Sequence, residues 1–431
     1  MRPVPSRLAR ALLGAVLVAG GLATSVAAED GEVSFMVFGD PAELAAYQQL
    51  VAAFEEREPG VDVELIHIPS PTDYRARLGV DFAAGDPADV VLINYRRYAP
   101  FAAMGVLEPL APYLRRSDVI SESDFFEVAT DPFKWRGRLT CIPQNISSLV
   151  VYYNRDLFDA AGLPFPSDDW SWDEFLAAAS ALTQDLDGDG TTDQYGVGID
   201  PSVFRLAPFV WGNGGELVVL ESGLRPIRLA LDSRAARDAV AWFVGLQTEH
   251  GVAPDALGEA AESSESRFLN GRTAMFFNSR RGTPTARRID GFEWDVAALP
   301  TGLEPAGILH SDAYCMAAAT EDKDAAWDFI EFANSPEGQA IVARSGRTVP
   351  SLKAVASSDA FLDPAAKPAN SAVWLDTVDT LGTVPVMASW VDIEEVTGDE
   401  LERAFYGGAT VDEAIAAMIT RTLPFFAGEE G

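Results

Sequence analysis

Between Asp131 and Asn154 the chain sets an uncharged polar pair, Gln144-Asn145, between two apolar, strand-prone runs. The second run, Leu149-Val150-Val151, leads to Tyr152, Tyr153 and Asn154. A buried sheet has no use for spare amides and hydroxyls there. A hydroxyl-rich small molecule does: planar polar side chains bond its hydroxyl pairs, and aromatic rings lie against its C–H faces. The competing reading is a pair of amides that satisfy backbone groups at a bend. Similar chemistry recurs at other strand ends. Asn94-Tyr95-Arg96-Arg97 follows the apolar run Val90 to Ile93, which suits Asn94 and Arg96 either to a ligand or to a helix cap beside solvated arginines. Asn278-Ser279-Arg280-Arg281 follows Thr273 to Phe277, where Asn278 and Arg280 can hydrogen-bond a ligand. Two neighbouring arginines also suit a carboxylate, which an arginine fork grips through two parallel bonds. Asp40 ends a first apolar run and opens a helix, so capping and ligand contact compete for it.

Asp185, Asp187, Asp189 and Asp193 occupy positions 1, 3, 5 and 9 of a calcium-loop pattern, with Gly190 at position 6. Position 12 is Gly196, so the usual bidentate Glu is missing, and an Asp/Gly turn fits as well as a weak structural calcium site. No other cofactor is required. The three histidines, His67, His250 and His310, are scattered and form no transition-metal cluster. Cys141 and Cys315, the two cysteines, lie in apolar strand-prone runs, compatible with a bridge or with two buried thiols.

The elements that must position these groups alternate between strand and helix, which indicates an α/β architecture with largely parallel sheets. Val33 to Phe38 reads as a strand, Ala42 to Arg57 as a helix opened by Asp40-Pro41, and Val61 to Ile68 as a second strand. Ser171-Trp172-Asp173-Glu174 and Thr410-Val411-Asp412-Glu413 are capping boxes that start later helices. No Gly/Ser-rich linker divides the chain, so two lobes would be joined by ordered strands.

At its start, Arg2, Arg7 and Arg10 precede an uncharged run from Ala11 to Ala28, ending in Val26-Ala27-Ala28. This is the order of a secretory signal peptide cleaved near Ala28; an uncleaved membrane anchor is the alternative. No Cys stands at the cleavage site to carry a lipid. With 65 Asp and Glu against 32 Lys and Arg, the formal charge is −33, which argues against nucleic acid and anionic lipid as partners.

Several segments are individually loose but keep one order: Ala83-Ala84-Gly85-Asp86-Pro87-Ala88-Asp89-Val90-Val91, Gly105-Val106-Leu107-Glu108-Pro109-Leu110 and Phe268-Leu269-Asn270-Gly271-Arg272-Thr273-Ala274-Met275. Ala298-Leu299-Pro300-Thr301-Gly302, Ala326-Trp327-Asp328-Phe329-Ile330, Ser335-Pro336-Glu337-Gly338-Gln339 and Arg347-Thr348-Val349-Pro350 complete the series. Together with the Asp131–Asn154 segment, this set resembles bacterial family 1 extracellular solute-binding proteins, the maltose-binding-protein-like receptors of ABC importers. The resemblance covers nearly the whole chain after the leader. It implies a type II periplasmic-binding-protein fold, in which two α/β lobes are joined by three hinge crossings. Residues 30–142 and 316–370 would form one lobe, and 143–315 and 371–431 the other.

It also implies a periplasmic, monomeric receptor that closes over a sugar or polyol and delivers it to permease subunits without catalysis. Gln144 and Asn145 would lie on the first crossing, Asp312 where the chain crosses back, and Asn94 and Arg96 on a cleft loop. Trp211 and Asn213, in Trp211-Gly212-Asn213-Gly214-Gly215, match another cleft loop, and Trp390 matches a region that supplies an aromatic platform. Family topology puts the two cysteine segments on neighbouring hinge strands, which favours the bridge. Relatives carry a Trp just beyond the strand at 273–277; this chain has Asn278 to Arg281 instead, which leaves that stacking role in doubt. A secreted glycoside-hydrolase-like enzyme is the rival. It would need two opposed carboxylates, and no nucleophile elbow, metal-ligand cluster or phosphate loop accompanies the acids here.

Overall fold

A computed structural model describes residues 31–221 and 225–428. The leader expected over 1–28 lies outside the described residues. No helix among them is long and apolar enough to cross a membrane.

The first lobe grows from β1 (Gly31–Phe38), α1 (Pro41–Arg57), β2 (Val61–Ile68), α2 (Pro71–Ala84), β3 (Val90–Asn94) and α3 (Tyr95–Met104). Each helix start follows from a short polar side chain with nonhelical backbone. Asp40 accepts hydrogen bonds from the amides of Ala42 and Glu43, and Ser70 accepts one from Asp73. Asn94 caps α3 through the Arg96 amide. Strands β1, β2 and β3 run parallel, with β1 between the other two. Val33, Phe35 and Val37 on one of its faces and Met36 on the other are buried, as a strand packed on both faces requires.

After β4 (Leu107–Glu108) the chain reaches β5 (Ile142–Pro143) and leaves the lobe through Gln144-Asn145-Ile146. It enters the second sheet as β6 (Ser147–Asn154), eight residues that are all buried. Later strands include β7 (Tyr195–Gly198), β8 (Thr273–Ser279), β9 (Trp294–Ala297), β10 (Gly307–His310), β11 (Asp312–Ala317) and β12 (Leu381–Gly382). Strand β6 pairs antiparallel with β8, β9 and β10. Ser311 is the second crossing, because β11 returns to the first sheet and pairs antiparallel with β3, β4 and β5. By Asn370, whose amide donates to Asp295, and Trp374, whose indole donates to the Ser148 carbonyl, the chain is back on the second sheet. The third crossing therefore lies between 362 and 370. The sheets are mixed, not largely parallel. A strand that arrives from the other lobe enters without a βαβ crossover and is free to pair antiparallel.

Helices α4 (Val203–Gly212), α5 (Arg234–Thr248), α6 (Trp390–Phe405) and α7 (Val411–Ala427) belong to the second lobe. Both capping boxes are present, at Ser171 with Glu174 and at Thr410 with Glu413.

Cys141 and Cys315 form a disulfide, 174 residues apart in sequence. It joins the approach to the first crossing with the strand leaving the second, next to the pairing of Tyr314 with Ile142. Closing so long a loop restricts the unfolded chain more than the folded one. Replacing both cysteines by Ser should cost about 2–5 kcal/mol and lower the melting temperature without altering the far-ultraviolet circular dichroism. An unchanged melting temperature would contradict this account.

Candidate functional site

A cavity of about 580 Å³ opens between the two sheets beside the crossings. Strand ends carry its polar lining: Asn94 from β3, Gln144 and Asn145 from the first crossing, Asn278 and Ser279 from β8, and His310 and Asp312 around the second crossing. Phe38, Phe101 and Phe204 add aromatic surface.

The hinge amides are held from the protein side. Gln144 is buried, and its Nε2 donates to the hydroxyls of Tyr47 (3.0 Å) and Tyr314 (2.8 Å). Its amide nitrogen donates to the Asp312 carbonyl, and its carbonyl accepts from Ser351. Asn145 accepts from the Asp312 amide through Oδ1, while its own carbonyl accepts from the Ser311 hydroxyl. Gln144 thus spends its amide on the hinge, whereas Asn145 Nδ2 keeps capacity, with a single 3.4 Å contact to Gln144.

Asn94 does two jobs. Its oxygen caps α3, and its Nδ2 donates to Asp312 Oδ1 at 3.1 Å, because β3 and β11 pair these residues directly. The other Asp312 oxygen has no protein partner among the described residues. Asn278 lines the cavity and accepts from the Ser279 amide, while no described residue hydrogen-bonds its Nδ2. Gly282 makes room for it: a Cβ there would stand 2.4 Å from Asn278 Nδ2.

Charge is arranged in pairs around this lining. Arg96 bonds Glu394 of α6 across the cleft and lies 4.4 Å over the Phe204 ring. Arg97 approaches the same carboxylate at 3.8 Å. Arg205 pairs with Asp200 at 2.7 Å. Arg347 contacts Glu43 at 2.5 Å and Asp40 at 3.6 Å. Burial raises Glu43 to about 7 even against the pull of Arg347. Gly39, with φ of +128°, leaves space for that carboxylate, since a Cβ would fall 1.2 Å from Glu43 Oε2. Burial also lowers His310 to about 4, so its imidazole is neutral at physiological pH.

Of the residues singled out from sequence, Asn94, Arg96, Gln144, Asn145, Asn278 and Asp312 come together here. The others do not line the cavity. Asp40 spends one oxygen on the α1 cap and turns the other toward Arg347. Trp211 covers Gly382, in a separate shallow hollow with Pro305 and Thr380. Asn213 donates to the Ala235 carbonyl, which ties α4 to the start of α5. Arg280 is fully buried, with its guanidinium 4.8 Å from the rings of both Phe361 and Trp374 and bonded to Ser371. Trp390 is fully buried at the start of α6, and its neighbours Val391 and Asp392 reach the cavity instead. In the acidic loop, carboxylate oxygens of Asp185, Asp187 and Asp193 gather within 4.8 Å of one another, with Asp189 outside the group. Asp185 already accepts from the Gly188 and Gly190 amides.

Sequence reading missed Glu43, Phe204 and Arg347, and took Arg281 only as one of two neighbouring arginines suited to a carboxylate. Arg347 had a usable signal: a polar pair, Arg347-Thr348, stands before an apolar Val349-Pro350 just as Gln144 stands before its strand. Phe204 had none, since its place depends on how α4 packs.

A model of the bacterial extracellular solute-binding protein family matches residues 39–340. A mannitol-binding protein of Pseudomonas aeruginosa is 24% identical over 428 residues, which cover 94% of this chain and 92% of that protein. A binding protein of Brucella abortus is 24% identical over 404 residues, 91% of this chain and 93% of that one. Among solved structures, an ABC substrate-binding protein of Listeria monocytogenes in complex with cycloalternan superposes with a TM-score of 0.84 at 24% identity, covering 93% of this chain and all of that chain. A maltose-bound protein of T. maritima gives 0.77 at 23% identity, covering 91% and 99%.

The raised Glu43 carboxyl has a consequence for stability. Between its ordinary value of 4.5 and about 7, the native state holds a proton that the unfolded chain has released, so stability falls as pH rises through that window. Glu43→Gln should be near neutral at pH 5 and stabilising at pH 8, by on the order of 2 kcal/mol. Urea denaturation at the two pH values would measure the difference; equal effects at both would refute it.

Proposed function

The chain belongs to the bacterial extracellular solute-binding protein family, and from that premise we propose an exported, monomeric receptor that captures a sugar or related polyol between its lobes and hands it to the permease of an ABC importer. The observation that carries this reading is the cavity beside the first two crossings. There the spare hydrogen-bonding groups of Asn145, Asn278 and Asp312 face one space, next to the Phe204 ring. Amides and a carboxylate with unspent capacity suit hydroxyl pairs, and an aromatic wall suits a sugar's C–H face. The relatives named above for mannitol, cycloalternan and maltose support the same ligand class.

Capture works through closure. Both lobes supply ligand groups, Asp312 from the first sheet and Asn278 from the second, so bound ligand favours the arrangement in which the two meet. Arg96 and Glu394 add a charge-assisted bond across the same gap. The reading includes no chemistry on the ligand. Export is supported by the leader sequence, and the charge of −33 supports a partner other than nucleic acid.

A thermal-shift panel of hexoses, disaccharides, hexitols and uronates should raise the melting temperature for at least one member, with the bound glycoside recovered intact. A panel without any effect would sink the receptor reading. For the ligand so found, Asn278→Ala should weaken binding about 3–10-fold, the loss of one uncharged hydrogen bond. Glu394→Gln should weaken it about 10-fold and expand the liganded protein in small-angle scattering, since the closed state loses a charge-assisted bond. Unaltered affinity in the Glu394 variant would remove that pair from the closure mechanism.

A further inference from the structure

We propose, resting on the receptor reading above, that the ligand is an acidic carbohydrate whose anionic group, a carboxylate or phosphate, is gripped between Arg281 of one lobe and Arg347 of the other.

The first observation is a contrast in charge. The chain carries −33 overall, yet arginines from both lobes line its cavity. Most of them are already engaged. Arg96 and Arg97 share Glu394, and Arg205 holds Asp200. Arg75, on α2, bonds Thr72 within its own helix. Arg281 has no ion pair or hydrogen bond among the described residues. Its side chain projects from the segment after β8 into the cavity.

Arg347 is the second, independent observation. It is 7% exposed, lines the cavity, and reaches Glu43 through Nη2. Its Nη1 is buried and makes no hydrogen bond, the nearest acid oxygen being Asp40 Oδ2 at 3.6 Å. A buried guanidinium donor without an acceptor is costly, and a ligand oxygen would satisfy it. Glu43 offsets this charge incompletely at neutral pH, because burial favours its protonated form. Arg281 and Arg347 are also close enough for their like charges to disfavour each other.

A neutral ligand would leave that repulsion in place and, as the lobes close, would strip water from Arg281, which Glu43 and Asp312 favour from a distance but no carboxylate pairs directly. An anion between the two guanidiniums removes both penalties. It also ties closure to charge, since one arginine stands on each side of the hinge. Hydroxyls on the same ligand remain to be bonded by Asn278, Asn145 and Asp312. Asp312 sets the polarity, because an anionic group placed against it would be repelled.

Isothermal titration of the purified protein with matched sets would test this: glucose and galactose, glucuronate and galacturonate, and the two hexose 6-phosphates. At least one acid should bind ten-fold or more tightly than its neutral parent, with the preference shrinking as salt rises. The uronate and phosphate arms identify which anion is recognised. Arg281→Gln should abolish the preference without lowering the unliganded melting temperature, and Arg281→Lys should keep part of it. Neutral parents that bind as well as their acids would overturn the proposal and leave the sugar-receptor reading standing. So would acids that ignore Arg281→Gln, or a wider panel in which only neutral sugars bind. If neither neutral nor acidic sugars bind, the receptor reading itself fails.

Discussion

Two sheets can share one chain here only if the strands between them satisfy their polar backbone away from water. The first crossing, Gln144 to Ile146, does so by lying between two other segments. Gln144 donates to the Asp312 carbonyl and accepts from Ser351, and Ile146 donates to the Val349 carbonyl. Tyr47 and Tyr314 absorb the Gln144 side chain, and the Cys141–Cys315 disulfide clamps the same strands just inside the first lobe. The position of the cavity follows from this junction. Asn145, Asp312, Arg347 and Thr348 line it because they belong to the segments that meet there.

That junction also separates rigid from movable parts. Hydrogen bonds and the disulfide are dense on the first-lobe side, whereas the contacts that span the gap are fewer and polar, with Arg96 on Glu394 and Phe204 the best defined. Polar contacts of this kind can be exchanged for ligand or water at little cost, which a receptor that opens and closes requires. The apolar core runs on through the strands beside the crossings, with an aromatic group on either side. Phe35, Tyr47 and Tyr314 pack together in one lobe, and Tyr152, Trp294 and Trp374 in the other.

Neighbouring arginines illustrate how far a sequence pattern carries. Asn278-Ser279-Arg280-Arg281 was legible as a polar strand end facing a ligand, and Asn278 is indeed there. Which arginine faces the ligand was not legible. The 3₁₀ turn at Arg280–Gly282 sends the first guanidinium inward, between Phe361 and Trp374, and the second into the cavity. Those two rings arrive from beyond residue 355, so no window around Arg280 contains them. Trp390 is a similar case. A Trp at a helix start can stack on a ligand or fill a core, and only the packing of α6 against α7 and α5 made it core.

What the amino-acid sequence determined by itself is local. Caps at Asp40, Asn94, Ser171 and Thr410, the buried runs at Val90 to Ile93 and Leu149 to Val151, and the polar pairs that end or begin such runs are each set by a few adjacent side chains. Local chemistry was enough to name five residues of the cavity, and the family resemblance added Asp312. Sheet direction, the pairing of Asn94 with Asp312, and the partners of each arginine were decided only in three dimensions. They join residues as much as 298 apart, as in Arg96 with Glu394. Contact across such distances is fixed by how whole elements pack, and burial, not residue type, then decides whether a charged or aromatic side chain serves the core or the cleft.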